Sequence, residues 1–352
     1  MPRVFSRFAP RKIPLYLALA LIVAAACLPI DSAHTGAGIR RAAETYALNV
    51  PAWELQNSLT PLDHDTSQPG PEAAPGTLGA DIERELIRQK LAAVPPVRYR
   101  LERPPLLLVV SPRERISYSD RLLLQPGLDT ARMEELENSI AGLGLSALVV
   151  EIGGFGAAYP AVVSPSLPVK NIVEAVVEEW AHQYLALKPL GFLYLLDCLG
   201  FAQEPGVINM NETLAGMMAG EIGSAVCAGY SENVCQRRDS PSHDGFDFAA
   251  EMRLTRRQVD GLLAAGRVDQ AERYMGERRA FFQEHGYCIR KLNQAYFAFH
   301  GIYGQDPGSA GPVYGQMKML REASGSLADF VQRVSAMTGP ADLEEAVKGL
   351  SQ

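Results

Sequence analysis

The chain has 352 residues, 47% of them hydrophobic and 21% charged, which is enough apolar content for a sizeable core and too little charge for a disordered chain. A formal net charge of -7 argues against nucleic acid as a partner, because such a protein usually presents a basic face.

Residues 1–12 carry Arg3, Arg7, Arg11 and Lys12, and residues 13–30 form an uncharged run, "IPLYLALALIVAAACLPI", closed by Asp31. At 1.5 Å per residue this run covers about 27 Å, just enough for a hydrocarbon core. The basic side of the run predicts a single-pass signal anchor or transmembrane helix with the N-terminus cytoplasmic and the main domain extracytoplasmic. A secreted form cut near Ala24, Ala25 and Ala26, or a lipoprotein modified at Cys27, are the alternatives. Cys198, Cys227, Cys235 and Cys288 follow no metal-ligand spacing. Cys227 and Cys235 either pair across a short loop or stand as separate thiols.

Residues 31–95 are expected to hold two helices, 38–59 and 81–93, separated by "TPLDHDTSQPGPEAAPGTLGA". Four prolines and three glycines in that stretch forbid a helix or central strand, so it is a linker or surface loop. Residues 96–352 form the main domain. "PPLLLVVSPRERI" and "SALVVEIGG" contain strand-length apolar runs on either side of the helical "ARMEELENSIAGLG", and "AAYPAVVS" supplies a third extended piece. The glycines of "EIGGFGAAYP" come without a P-loop lysine and predict a strand bend near a cleft. The rest is helical: 171–187 ended by Pro189, 211–226, 255–266, 268–285, a segment within "YCIRKLNQAYFAFHGIYG", one around 317–322, and two near Ser326 and Pro340.

One helix carries chemistry. In "VVEEWAHQYL", Glu178 and His182 stand at i and i+4, so both reach one ion from the same face. Glu179 is offset by about 100 degrees, where a carboxylate touches a reacting water without ligating the metal. Trp180 is read as core packing. A third ligand is supplied by Glu212, just behind Asn211 near the start of the next helix, whose Ala215, Gly216, Ala219 and Gly220 permit close helix approach. His34, His64 and His243 fall in linker or loop sequence and are poor ligand candidates.

"EEWAHQYL", followed thirty residues after His182 by "NETLA", resembles the gluzincin metallopeptidases, the thermolysin-like group with H-E-x-x-H and a later N-E on the following helix. "KLNQAYFAFHGIYG", the helix around 317–322 and "SLADFVQRVSAM" are similar in order and character to the C-terminal part of predicted bacterial aminopeptidases. The region from about Leu106 onward also resembles uncharacterised membrane-anchored bacterial proteins whose helix reads H-E-W-x-H.

The resemblance implies an α+β, zincin-like fold, with a small N-terminal sheet before a mostly helical C-terminal part. It also implies Glu178, His182 and Glu212 as ligands of zinc, Glu179 as general base, and a peptide or protein substrate. This chain departs from the pattern at Glu178, where the group has histidine. Two carboxylates and one imidazole make a harder, more anionic site that admits Mn or Fe more readily. Gly216 stands where some relatives place an acid to hold the first imidazole, and a ligating carboxylate has no ring N–H to orient.

Asn293, Tyr296, His300 and Tyr303 recur at i, i+3, i+7 and i+10, one face of a helix. Tyr296, His300 or Tyr303 is expected to donate to an oxyanion, or His300 to replace the missing nitrogen ligand; the alternative is an aromatic packing face with a hydrogen-bonded core histidine. A hydrolase, a peptidase-like binding or scaffold protein that has lost hydrolysis, and a carboxylate-bridged di-iron site built on Glu179-x-x-His182 are the competing functions. The di-iron reading lacks a second E-x-x-H.

Overall fold

A computed structural model describes residues 36–50, 52–53, 77–198, 205–230 and 245–351. Its six strands are β1 (Tyr99–Leu101), β2 (Leu106–Pro112), β3 (Asp120–Leu124), β4 (Leu145–Glu151), β5 (Gly154–Phe155) and β6 (Ala161–Val163). They make two sheets rather than the single one expected: antiparallel β3-β2-β4, and β1-β6-β5 with β1 parallel and β5 antiparallel to β6. The second sheet is short because its strands are only two or three residues long.

The continuous apolar run of β2 reflects burial on both faces. Leu106, Leu108 and Val110 pack with Ala147 and Val149 of β4 under α1 (Ala37–Ala43) and α3 (Thr130–Ala141). Val109 and Leu148 face the other way, onto Ala295, Ala298 and Phe299 of α9 (Gln294–Gly301). Buried Glu137 of α3 accepts from Val149 N at 2.7 Å and from Arg290, and so ties the sheet to the segment that leads into α9.

The largest core surrounds α4 (Val169–Leu185), whose Ile172, Val173, Val176, Val177, Trp180, Ala181 and Leu185 point inward at helical spacing. It packs on α6 (Pro205–Cys227) through Met210, Leu214, Ala215, Met218, Ala219 and Ile222. A Cβ at Gly223 of α6 would press on Glu174 of α4, whereas Gly220 has open space. α2 (Thr77–Arg88) contributes Leu78, Ile82 and Leu86 to the same core. So do α10 (Val313–Glu322), α11 (Leu327–Ser335) and α12 (Pro340–Lys348). Trp180 is buried, as read from the sequence, and its Nε1 donates to Pro95 O at 2.7 Å. The charged pair α7 (Phe248–Ala264) and α8 (Val268–Glu284) forms a hairpin with its own core around Met252, Met275 and Phe282.

Several boundaries differ from the sequence reading. The helix expected over 38–59 is interrupted: its first part ends at Ala43, Ala47 bridges Leu124, residues 50 and 52–53 are helical again, and residues 51 and 54–59 lie outside the described ones. Pro189 stops α4 and also starts a further helix, α5 (Pro189–Cys198), because proline is well tolerated in a first helical turn. α6 begins before Asn211, at Pro205, and α7 before Thr255, at Phe248. α9 is too short to hold all four polar positions on one face: Asn293 is its N-cap and Tyr303 lies beyond its end. Among the described residues no helix is long and apolar enough to cross a membrane. The run 13–30, most of the linker, His34, His64, His243, Cys27 and Cys235 lie outside the described residues.

Candidate metal centre

The α4–α6 contact brings the three expected ligands together. One donor atom each from Glu178, His182 and Glu212 lie within 4.8 Å of one another. His182 Nδ1 donates to Asn211 Oδ1 at 2.8 Å, which turns the other nitrogen, Nε2, toward Glu212 Oε2 at 3.5 Å. Asn211 is wholly buried, so this acceptor cannot swing away. Glu212 is oriented in the same manner: Tyr194 Oη of α5 donates to Oε1 at 2.9 Å, while the Tyr194 ring stacks on His182 at 5.6 Å.

The donor set and its spacing fit a divalent ion. With bonds of about 2.1 Å, two ligands lie roughly 3.4 Å apart in a tetrahedral shell and roughly 3.6 Å apart in a trigonal plane. The 3.5 Å between His182 Nε2 and Glu212 Oε2 falls between these and is long for a hydrogen bond. Asn211→Ala is therefore expected to lower any metal affinity by about 10- to 100-fold while secondary structure persists, measured by chelator competition beside circular dichroism.

Glu179 sits beside the triad, against the glycine-rich segment. A Cβ at Gly154 would overlap its Oε1, and one at Gly156 its Oε2 and backbone. Gln183, one turn along α4, holds that segment in place by donating to Gly156 O at 3.0 Å and Ala158 O at 2.9 Å. The glycines thus make the seat of a carboxylate. Gly156→Ala is expected to displace Glu179 and to cost about 1–3 kcal/mol in a urea melt, with the three ligands still able to bind metal.

Burial and neighbouring charges displace all four groups from their ordinary ranges. Burial, with Glu212 and neighbouring carboxylates adding to it and His182 opposing, pushes Glu178 up to about 7. The same causes push Glu179 up to about 8. Burial alone would lower His182, but Glu212, Glu179 and Glu178 overcome it and raise the imidazole to about 10. Glu212 stays low despite its burial because His182, Tyr194 and Arg121 all favour its charged form.

Of the C-terminal candidates, Tyr303 is the one whose flanking residues the fold ties beside Glu212. Asn209 Nδ2 donates to Gly301 O and Ile302 O, and Gly304 N donates to Thr213 Oγ1 at 3.1 Å. Residues on both sides of Tyr303 are thereby tied to the turn of α6 that carries Glu212. Burial first, then Glu212 and Glu178, raise its phenol well above the ordinary value, so it stays protonated and able to donate.

Tyr296 and His300 are engaged elsewhere. His300 Nδ1 meets Asp306 Oδ2 at 2.7 Å, and the two rings lie 4.1 Å apart. Asn293 caps α9 and donates to Ala147 O at 2.9 Å. Gln305 reaches the space opened by Gly216.

Arg121, Gln183 and Tyr194 belong to no motif that would single them out in the sequence. Arg121 lies on β3 and Tyr194 on α5, elements that only the folded chain sets beside Glu212, and Gln183, although on α4, finds its acceptors in the segment after β5. Comparison with protein-family models, with curated proteins and with solved structures gives no match.

Proposed function

We propose that this chain is a metal-dependent peptide hydrolase attached to a membrane through residues 13–30, with its folded domain outside the cytoplasm. The observation that carries the reading is the convergence of Glu178, His182 and Glu212 beside a carboxylate, Glu179, that belongs to the same helix and is seated separately. A divalent ion bound there supplies Lewis acidity and a more acidic water. Glu179, with a proton affinity near neutral pH, takes a proton from water and returns it to the leaving amine. Tyr303 donates to the carbonyl oxygen as charge develops on it. Asn211 and Tyr194 keep one atom each of His182 and Glu212 turned to the centre. Attachment to the membrane is supported by the basic residues before an eighteen-residue apolar run.

A second reading is favoured by Glu178 itself. Carboxylate in place of imidazole polarises less, and a peptidase-like protein that retains binding without turnover would carry this substitution.

The full chain, purified and loaded separately with Zn2+, Mn2+ and Fe2+, is assayed for bound metal and for cleavage of a mixed peptide library. One ion per chain, with cleavage lost on chelation and restored on re-addition, supports hydrolysis. One ion without cleavage supports the binding protein, and two irons per chain the di-iron site. No bound ion under any loading removes the metal reading.

A further inference from the structure

The three ligands are not held alike. His182 Nδ1 is committed to Asn211 and Glu212 Oε1 to Tyr194, so each offers one atom to an ion. Among the described residues no hydrogen-bond donor meets either oxygen of Glu178. It lies one helical turn before His182, with one of its oxygens within 4.8 Å of the donor atoms of His182 and Glu212.

We infer that Glu178 chelates through both oxygens, making a centre of four protein atoms, three of them oxygen, suited to five- or six-coordinate divalent ions of the Mn2+ class. The inference rests on the metal-site reading above and specifies the ion. A histidine at 178 would offer one nitrogen and leave a three-atom, four-coordinate site of the kind zinc fills. The carboxylate adds an oxygen, raises the coordination number and supplies the second negative charge that balances a dication. Zinc still exceeds manganese in absolute affinity at almost any such site, so what Glu178 sets is the margin between them.

Metal-free full chain, Glu178→His and Glu178→Gln are each titrated with Mn2+ and with Zn2+ against a competing chelator, with folding followed by circular dichroism. Glu178→His is expected to raise the zinc-over-manganese affinity ratio by about tenfold or more. Glu178→Gln keeps the shape but removes the charge and one oxygen, and is expected to weaken Mn2+ by about tenfold more than Zn2+. Should Glu178→His fail to fold, Glu178→Gln decides the matter. A ratio within about twofold of the parent in folded variants overturns the chelating role while leaving the metal site standing. A parent that binds neither ion removes the site itself, and the inference with it.

Discussion

Glu179→Gln is expected to reduce peptide hydrolysis by about 100- to 10,000-fold with the bound-metal content unchanged. Glutamine has the same shape, so it still occupies the seat between Gly154 and Gly156, and the Gln183 bonds that hold that seat remain. What it loses is the ability to accept a proton from water, and only catalysis needs that. Glu212→Ala differs: it removes a ligand and the acceptor of Tyr194, so metal and hydrolysis are lost together. The pair is read by metal analysis and single-substrate kinetics on the same preparations. Full activity in Glu179→Gln would place the base elsewhere; metal retained stoichiometrically in Glu212→Ala would take Glu212 out of the ligand set.

Metal uptake is expected to release between about one and two protons near pH 7 and to strengthen about tenfold per pH unit as pH rises toward 10. An ion takes the neutral imidazole, yet in the empty cluster His182 is raised to about 10, burial being overcome by Glu212 and the other carboxylates. Its proton must leave at neutral pH. Glu178, pushed by burial to about 7, gives up roughly half a proton more. Calorimetry in two buffers of different ionisation enthalpy measures the number directly. No proton release would mean that His182 is neutral in the empty site, at odds with its position 3.5 Å from Glu212.

The same groups fix the sign for stability of the metal-free chain. Glu178 and Glu179 bind protons more tightly folded than unfolded, so their contribution is full below about 4.5 and lost as pH rises through about 7 and 8. The contribution of His182 is full below about 6.5 and lost through about 10. Thermal midpoints of the empty protein should therefore fall across that window, and a saturating ion should reverse the trend.

Much of the candidate ligand set was legible because it is local. Glu178 and His182 share a helix whose apolar period is plain, and that period turns both toward one side while Trp180 turns inward. Glu212 was legible through its pairing with Asn211. The oxyanion candidates were less so: spacing of i, i+3, i+7 and i+10 assumes a helix long enough to contain it, and α9 ends at Gly301. Tyr303 lies beyond that end, its flanks bound by Asn209 and Thr213 on either side of Glu212, and His300 is taken by Asp306.

By itself, then, the sequence determined which residues share a helix face and where the first apolar runs become strands. These depend on neighbours a few positions away, where backbone geometry alone sets direction. The tertiary structure decided which imidazole nitrogen faces the centre, that Gly154 and Gly156 seat Glu179, that Tyr194 claims one oxygen of Glu212, and that Glu178 keeps both of its own free of protein donors among the described residues. Each of these is a contact between segments about 20 or more residues apart, or the absence of one. Such contacts are set by how α4, α5, α6 and the two sheets pack, not by any local period.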